Sequence, residues 1–150
     1  MNQPTKTRDP WLVFEYEAGM FSALWDVFQN GQQGLAILVL PIRNAVVESL
    51  LLHIRQLADM ILSRGTRRDD ILLVYLVQNH VPSRLDELDR VYGKDSIEGS
   101  PCWTINKMLA HATSIRSSSY DYSDLVKQVA PVLEGIIQEI RGFKTGVDYT

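Results

Sequence analysis

Apolar residues recur at helical spacing in three long segments of this chain, and this recurrence limits the possible folds more than any other feature. The segments cover residues 10–30, 42–63 and 123–143. In each segment the apolar side chains share one side of a helix drawn at about 100° per residue. A helix with one apolar side must bury it against another element. The pattern therefore predicts an all-α protein, an antiparallel helical bundle of about five helices.

The same spacing predicts which side chains form the core. Asp9 and Pro10 are typical of a helix start, and Asn30 with Gly31 is typical of a helix end. Pro131 falls on the outward side of the last helix, where it should kink that helix without breaking it. The predicted core positions are Val13, Phe14, Met20, Phe21, Leu24, Trp25, Val27 and Phe28 in the first segment; Val46, Val47, Leu50, Ile54, Leu57, Ala58 and Ile61 in the second; and Leu125, Val129, Val132, Leu133, Ile136, Ile140 and Phe143 in the last.

Two shorter apolar segments, Leu35–Leu40 and Ile71–Val77, fit either a buried strand or a helix. Pro41, ahead of a long helical pattern, favours a helix start or kink for Leu35–Leu40. No second convincing strand exists to pair with Ile71–Val77, so we favour helix there too. Ser83 is a predicted N-cap for a short helix from Arg84 to about Val91, and residues 92–101 are a predicted exposed loop.

Length and composition predict a single domain over residues 1–150, with residues 1–8 as a loose tail. The lone Cys102 cannot form an internal disulfide, which fits a reducing compartment, and we expect the protein to be cytoplasmic. No apolar run approaches the roughly 20 residues of a membrane span, so we expect no membrane partner. A net charge of −3 means that any RNA contact would need a local basic patch.

The segment 103–116 combines a helical apolar period with chemically capable side chains. Its predicted buried face consists of Ile105, Met108, Leu109, Ala112 and Ile115. Thr104, Lys107 and His111 fall along one edge of that face, and Asn106 and Thr113 along the other. A site that uses both edges would need a second helix or a second subunit.

His53 lies at the margin of the second segment's apolar face, near Ser49 on the helical wheel. It could face His111 across a helix pair, where two histidines could share acid and base roles in cleaving a phosphodiester. The alternative is that both histidines are structural and bond to neighbouring groups, with Ser49 or a backbone carbonyl as the partner of His53. Glu48, Arg55 and Asp59 form a predicted solvated stripe on the opposite side of this helix.

The three histidines are far apart in sequence, and none has a second ligand-type residue one helical turn away. We therefore predict neither a metal site nor a cofactor. Cys102 as a nucleophile is equally unsupported, because it precedes the segment that carries His111.

The run Ile-Asn-Lys-Met-Leu-Ala-His at residues 105–111 resembles the signature of the HEPN superfamily. In families of that group reading Arg-Asn-Lys-x-x-Ala-His, the residues Asn106, Lys107, Ala110 and His111 fall in register. Residues 43–55 resemble the second helix of those domains. Ile105 occupies the position of the motif's arginine. The resemblance implies a compact all-helical fold.

Many HEPN domains are metal-independent ribonucleases of toxin–antitoxin and anti-phage systems, in which two motifs meet at a dimer cleft; others bind RNA or act as scaffolds. The resemblance implies that His111 is a general acid or base and that Lys107 or Arg116 replaces the missing arginine. The partners it implies are a second copy of the chain, RNA and an antitoxin-like protein. The alternative is a non-catalytic helical interaction domain, which a buried Ile105 would favour. Convergence of His53, Lys107, His111 and Arg116 in one cleft would favour the nuclease.

Overall fold

The computed structural model describes residues 9–30, 40–64, 77, 80–110 and 122–148. All regular secondary structure in these residues is helical, which confirms the predicted all-α bundle. The five helices are α1 (Pro10–Gln29), α2 (Leu40–Ile61), α3 (Leu85–Tyr92), α4 (Pro101–Ala110) and α5 (Ser123–Asp148).

Several sequence predictions concern residues outside these ranges. These residues include the tail 1–8 and most of the segments Leu35–Leu40 and Ile71–Val77. Of the two segments, only Leu40 and Val77 are described. Leu40 begins α2, and Val77 is helical and buried.

Helix α1 begins and ends where local chemistry predicts. At the start of the helix, the Asp9 carboxylate accepts a hydrogen bond from the backbone N–H of Trp11 at 2.9 Å. At its end, the backbone N–H of Asn30 donates a hydrogen bond to the carbonyl of Asp26. The buried face is narrower than the predicted one, since Val27 is 36% exposed and Met20 is only partly buried. The fully covered residues follow a three- and four-residue spacing and are Phe14, Ala18, Phe21 and Trp25.

Helix α2 is the centre of the bundle, because it packs against all four other helices. Its predicted apolar face is buried from Leu50 to Ile61, while Val46 and Val47 are partly buried. The buried residues are Leu50, Leu51, His53, Ile54, Leu57, Ala58, Met60 and Ile61.

Helix α5 runs antiparallel to α1. The guanidinium of Arg141 donates to Glu15 at 2.9 Å near the start of α1, and the indole N–H of Trp25 donates to Glu134 at 3.3 Å near its end. These polar contacts fix the register of the two helices around their shared apolar layer.

Helix α5 is continuous through Pro131, whose exposed position agrees with the prediction that it lies on the outward side. The helix reaches Asp148 and is therefore longer than the prediction of an end near Phe143. All the predicted core positions from Leu125 to Ile140 are buried.

The predicted N-cap role of Ser83 is wrong. Both its backbone N–H and its hydroxyl donate to the Glu139 carboxylate on α5, each at 3.0 Å. Arg84 occupies the N-cap position without a side-chain cap and instead pairs with Glu87 at 2.8 Å. Burial alone would raise the pKa of Glu139, but the Ser83 donors and His80 outweigh it, and the pKa is lowered. Ser83 therefore joins the loop before α3 to α5.

Candidate functional site

Ile105 lies in the core of the bundle. It is a residue of α4 and has no solvent exposure. Its neighbours on the same helix, Cys102 and Met108, are 4% and 1% exposed and share the buried face. The prediction from helical spacing is confirmed at this position: where the HEPN motif has arginine, this chain has a core residue.

The polar residues beside Ile105 have local partners. The Asn106 amide donates to the Asp95 carboxylate at 3.0 Å and lies 3.7 Å from the sulfur of Cys102. The Lys107 ammonium lies over the ring of Trp103 on the same helix, 5.6 Å from its centroid. Thr104, which we predicted at an edge of the apolar face, is 2% exposed and is therefore inside that face. Asn106 holds the loop before α4 against the helix.

His111 and Arg116 lie outside the described residues, as do Ala112, Thr113 and Ile115. The predicted cleft of His53, Lys107, His111 and Arg116 therefore stays a prediction.

His53 has a different partner from those we predicted. Its Nδ1 is hydrogen-bonded to the Glu17 carboxylate of α1 at 2.5 Å, and its ring meets the Tyr16 ring edge to face at 6.1 Å. The residue is 6% exposed, so it lies inside the α1–α2 contact and not at its margin. The proposal of Ser49 as its partner is wrong because α1 covers this part of α2. The pair joins the two helices through a buried polar contact.

Among the three predicted stripe residues of α2, Arg55 and Asp59 approach each other at 3.9 Å, with more than a third of each side chain exposed. This contact agrees with the predicted solvated ion pair, which is worth only a few tenths of a kcal/mol.

A polar cluster around Arg64, which follows α2, was absent from our sequence predictions. The Arg64 guanidinium donates to the Gly93 carbonyl at 2.5 Å and to the Asp89 carboxylate at 2.7 Å. It also lies over the Tyr92 ring, 5.4 Å from the centroid. The arginine thus fixes the end of α3 to the end of α2. The sequence around Arg64 indicates these contacts only weakly, because Arg64 stands in a run of basic residues that is typical of a solvated turn.

Cys102 faces this cluster, and its surroundings make it a poor nucleophile. Burial is the largest influence on the thiol and raises its pKa, although the neighbouring Tyr92 hydroxyl and Arg64 act in the opposite direction. Burial also raises the pKa of Tyr92, with a further contribution from Asp59. A thiol with a raised pKa is mostly protonated at neutral pH and reacts slowly.

A row of exposed apolar and small residues runs along α1 on the side away from its buried face. We call it the α1 stripe; it consists of Leu12, Tyr16, Gly19, Ala23 and Val27. Leu12 is 70% exposed and Tyr16 is 61% exposed. The members are three or four residues apart, so they form one continuous row on the helix. A row of apolar surface of this kind is typical of an interaction site.

Two of the three acidic residues that flank the α1 stripe bond to side chains of other helices. Glu15 pairs with Arg141, and Glu17 pairs with His53. Asp26, which is exposed, lies at one edge of the stripe. Helix α1 contains no lysine or arginine. The α1 stripe is therefore an uncharged surface, and the two glutamates beside it are bonded to side chains of α2 and α5.

Two further findings apply to the part of the chain that the structure describes. It contains no group of three His, Cys, Asp or Glu side chains placed to hold a metal ion. None of its helices has both the length and the apolar character that crossing a bilayer requires.

Comparison with known proteins gives no relative on which to base a function. The chain matches no protein-family model, no curated protein and no solved structure.

Proposed function

We propose that this protein is a HEPN-like helical domain that binds other protein surfaces and does not cleave RNA. The observation that carries the proposal is the complete burial of Ile105. A ribonuclease of this type needs a cation beside the reacting phosphate to stabilise the charge of the transition state. An isoleucine in the core cannot supply it, and the position has no access to a substrate.

The contacts of the other motif residues support the same proposal. Asn106 and His53 are used in holding the fold together, the first through Asp95 and the second through Glu17. Lys107 lies against Trp103. These residues have structural partners that account for their presence without a catalytic role. The proposal includes a cytoplasmic protein that forms a homodimer, for which the α1 stripe is the candidate surface.

Ribonuclease activity through His111 and Arg116 is the competing hypothesis, and RNA incubation separates the two. Purified protein and a His111→Ala variant are incubated with total cellular RNA in the presence of a chelator, and the RNA is resolved by gel electrophoresis. We expect the RNA to remain intact with both proteins. Metal-independent cleavage by the wild type that is lost in His111→Ala would overturn the proposal and establish the nuclease.

A further inference from the structure

The geometry of α1 points to a specific partner for the α1 stripe. We infer that it packs antiparallel against the same stripe of a second copy, with the two-fold axis between Gly19 and Met20. This inference rests on the proposed function, since it names the partner of an interaction domain. It makes a claim about register that the proposed function does not make.

The stripe is long enough and continuous enough to form a helix pair. From Leu12 to Val27 it spans about 22 Å at 1.5 Å per residue. All five residues are exposed, and none carries a charge. Beneath the stripe, Phe14, Ala18, Phe21 and Trp25 anchor α1 to the bundle. The surface is therefore held on a packed helix and does not need to order on binding.

The sizes of the side chains fit an antiparallel pair of identical helices. In a two-fold contact, residue i of one copy meets residue j of the other, and the reverse contact is made at the same time. With the axis between Gly19 and Met20, Leu12 meets Val27, and the large Tyr16 meets the small Ala23. Gly19 at the centre meets Met20 of the second copy, and because a glycine has no side chain it leaves room there for the methionine.

Space at the centre of the stripe agrees with this arrangement. Beyond its own turns of α1, a Cβ built on Gly19 meets no atom of the described residues within 4 Å, so the position opens to solvent. A side chain from a second copy can occupy this space, and Met20, which is only partly buried, lies next to it.

The distribution of charge favours a second copy over a foreign partner with a strong charge of either sign. Glu15 and Glu17 already bond to Arg141 and His53, so a basic helix would have to compete with these contacts. An acidic helix would find no lysine or arginine on α1. An uncharged helical face such as the α1 stripe itself needs neither acidic nor basic residues to pair with. In such a dimer, the exposed Asp26 can remain at the solvated rim.

A single helix face buries less than the roughly 800 Å² per partner of a standard interface. We therefore expect a reversible dimer with a dissociation constant in the micromolar range. The antiparallel register can be tested by cross-linking even when the dimer is weak.

The test uses single cysteines on the α1 stripe. In Gly19→Cys, the two new thiols lie on either side of the two-fold axis and are offset by about one residue along the helices. We expect their Cα atoms to lie within the separation of less than about 7 Å that a disulfide needs. In Leu12→Cys, the matched control, an antiparallel pair separates the two thiols by about 22 Å. The native Cys102 is 4% exposed, so the wild type serves as the blank.

Each protein is oxidised with copper–phenanthroline at micromolar concentration and resolved on a non-reducing gel. We expect a cross-linked dimer in most of the Gly19→Cys sample and little in Leu12→Cys or the wild type. Circular dichroism confirms that each variant is helical. A dimer formed by Leu12→Cys and not by Gly19→Cys would show a different register, and the absence of cross-linking in both would show that α1 is not the interface. Either result overturns the inferred register, and the second also removes the α1 stripe as the dimer surface. The claim that the protein does not cleave RNA is tested separately, by the RNA incubation.

Discussion

Ile105→Arg, which completes the HEPN motif in sequence, is expected to unfold the domain and not to create a nuclease. The side chain at this position has no solvent exposure. A guanidinium placed there would lose its hydration inside the core, and burial of a charge belongs to the most destabilising changes known. We expect a loss of at least about 4 kcal/mol, a large part of the 5–15 kcal/mol that a typical domain has.

Urea unfolding followed by circular dichroism measures this loss. Ile42→Arg is the matched control, because Ile42 is also helical but is 52% exposed; we expect it to change the free energy of unfolding by less than about 0.5 kcal/mol. Ile105→Val should cost only about 1 kcal/mol, since it removes one methyl group from the core. A stable, folded Ile105→Arg protein would show that this position can reach solvent, and our account of the motif would be wrong.

Gly93→Ala is expected to have the second largest effect. Gly93 ends α3 with φ +74° and ψ −157°, a backbone conformation that essentially only glycine adopts. An added Cβ would also lie 2.6 Å from the Cβ of Ser100. Ser100 has little freedom to move, because its hydroxyl donates to the Lys94 carbonyl and accepts from the N–H of Trp103.

The Gly93 substitution would further disturb the carbonyl that accepts from Arg64. We expect a loss of about 3 kcal/mol in the free energy of unfolding. Gly142→Ala is the control: this exposed glycine lies within α5 and has open space around its Cβ position, so the change should stabilise the protein by about 0.5–1 kcal/mol. A loss below about 1 kcal/mol in Gly93→Ala would mean that the turn can adopt another conformation.

The features that the sequence predicted correctly depend on residues close together in the chain. Asp9 and Pro10 start α1 because a carboxylate and a proline act within one helical turn. The burial of Ile105 follows from the three- and four-residue spacing of its own helix. Such signals do not require knowledge of the neighbouring helices.

The features that were missed depend on partners far away in sequence. His53 pairs with Glu17, 36 residues earlier, and Ser83 bonds to Glu139, 56 residues later. Ser83 has the local chemistry of a helix cap, but a carboxylate of α5 accepts its hydrogen bonds. Arg64 likewise has a partner 25 residues away. Helical periodicity identifies the buried face of each helix, but it does not identify the side chains that meet across two helices. The polar contacts of His53, Ser83 and Arg64 join different parts of the chain, so periodicity could not predict them.

The central claim, that this protein acts through association at the α1 stripe, is tested most directly by its mass in solution. Static light scattering, at a protein concentration well above the micromolar dissociation constant that we expect, is compared for the wild type, for Ala23→Arg on the α1 stripe, and for Gln138→Arg on an exposed part of α5. We predict about twice 17.1 kDa for the wild type and for Gln138→Arg, and a mass near 17.1 kDa for Ala23→Arg. A wild-type mass of 17.1 kDa, or a dimer that Ala23→Arg leaves intact, would contradict the account.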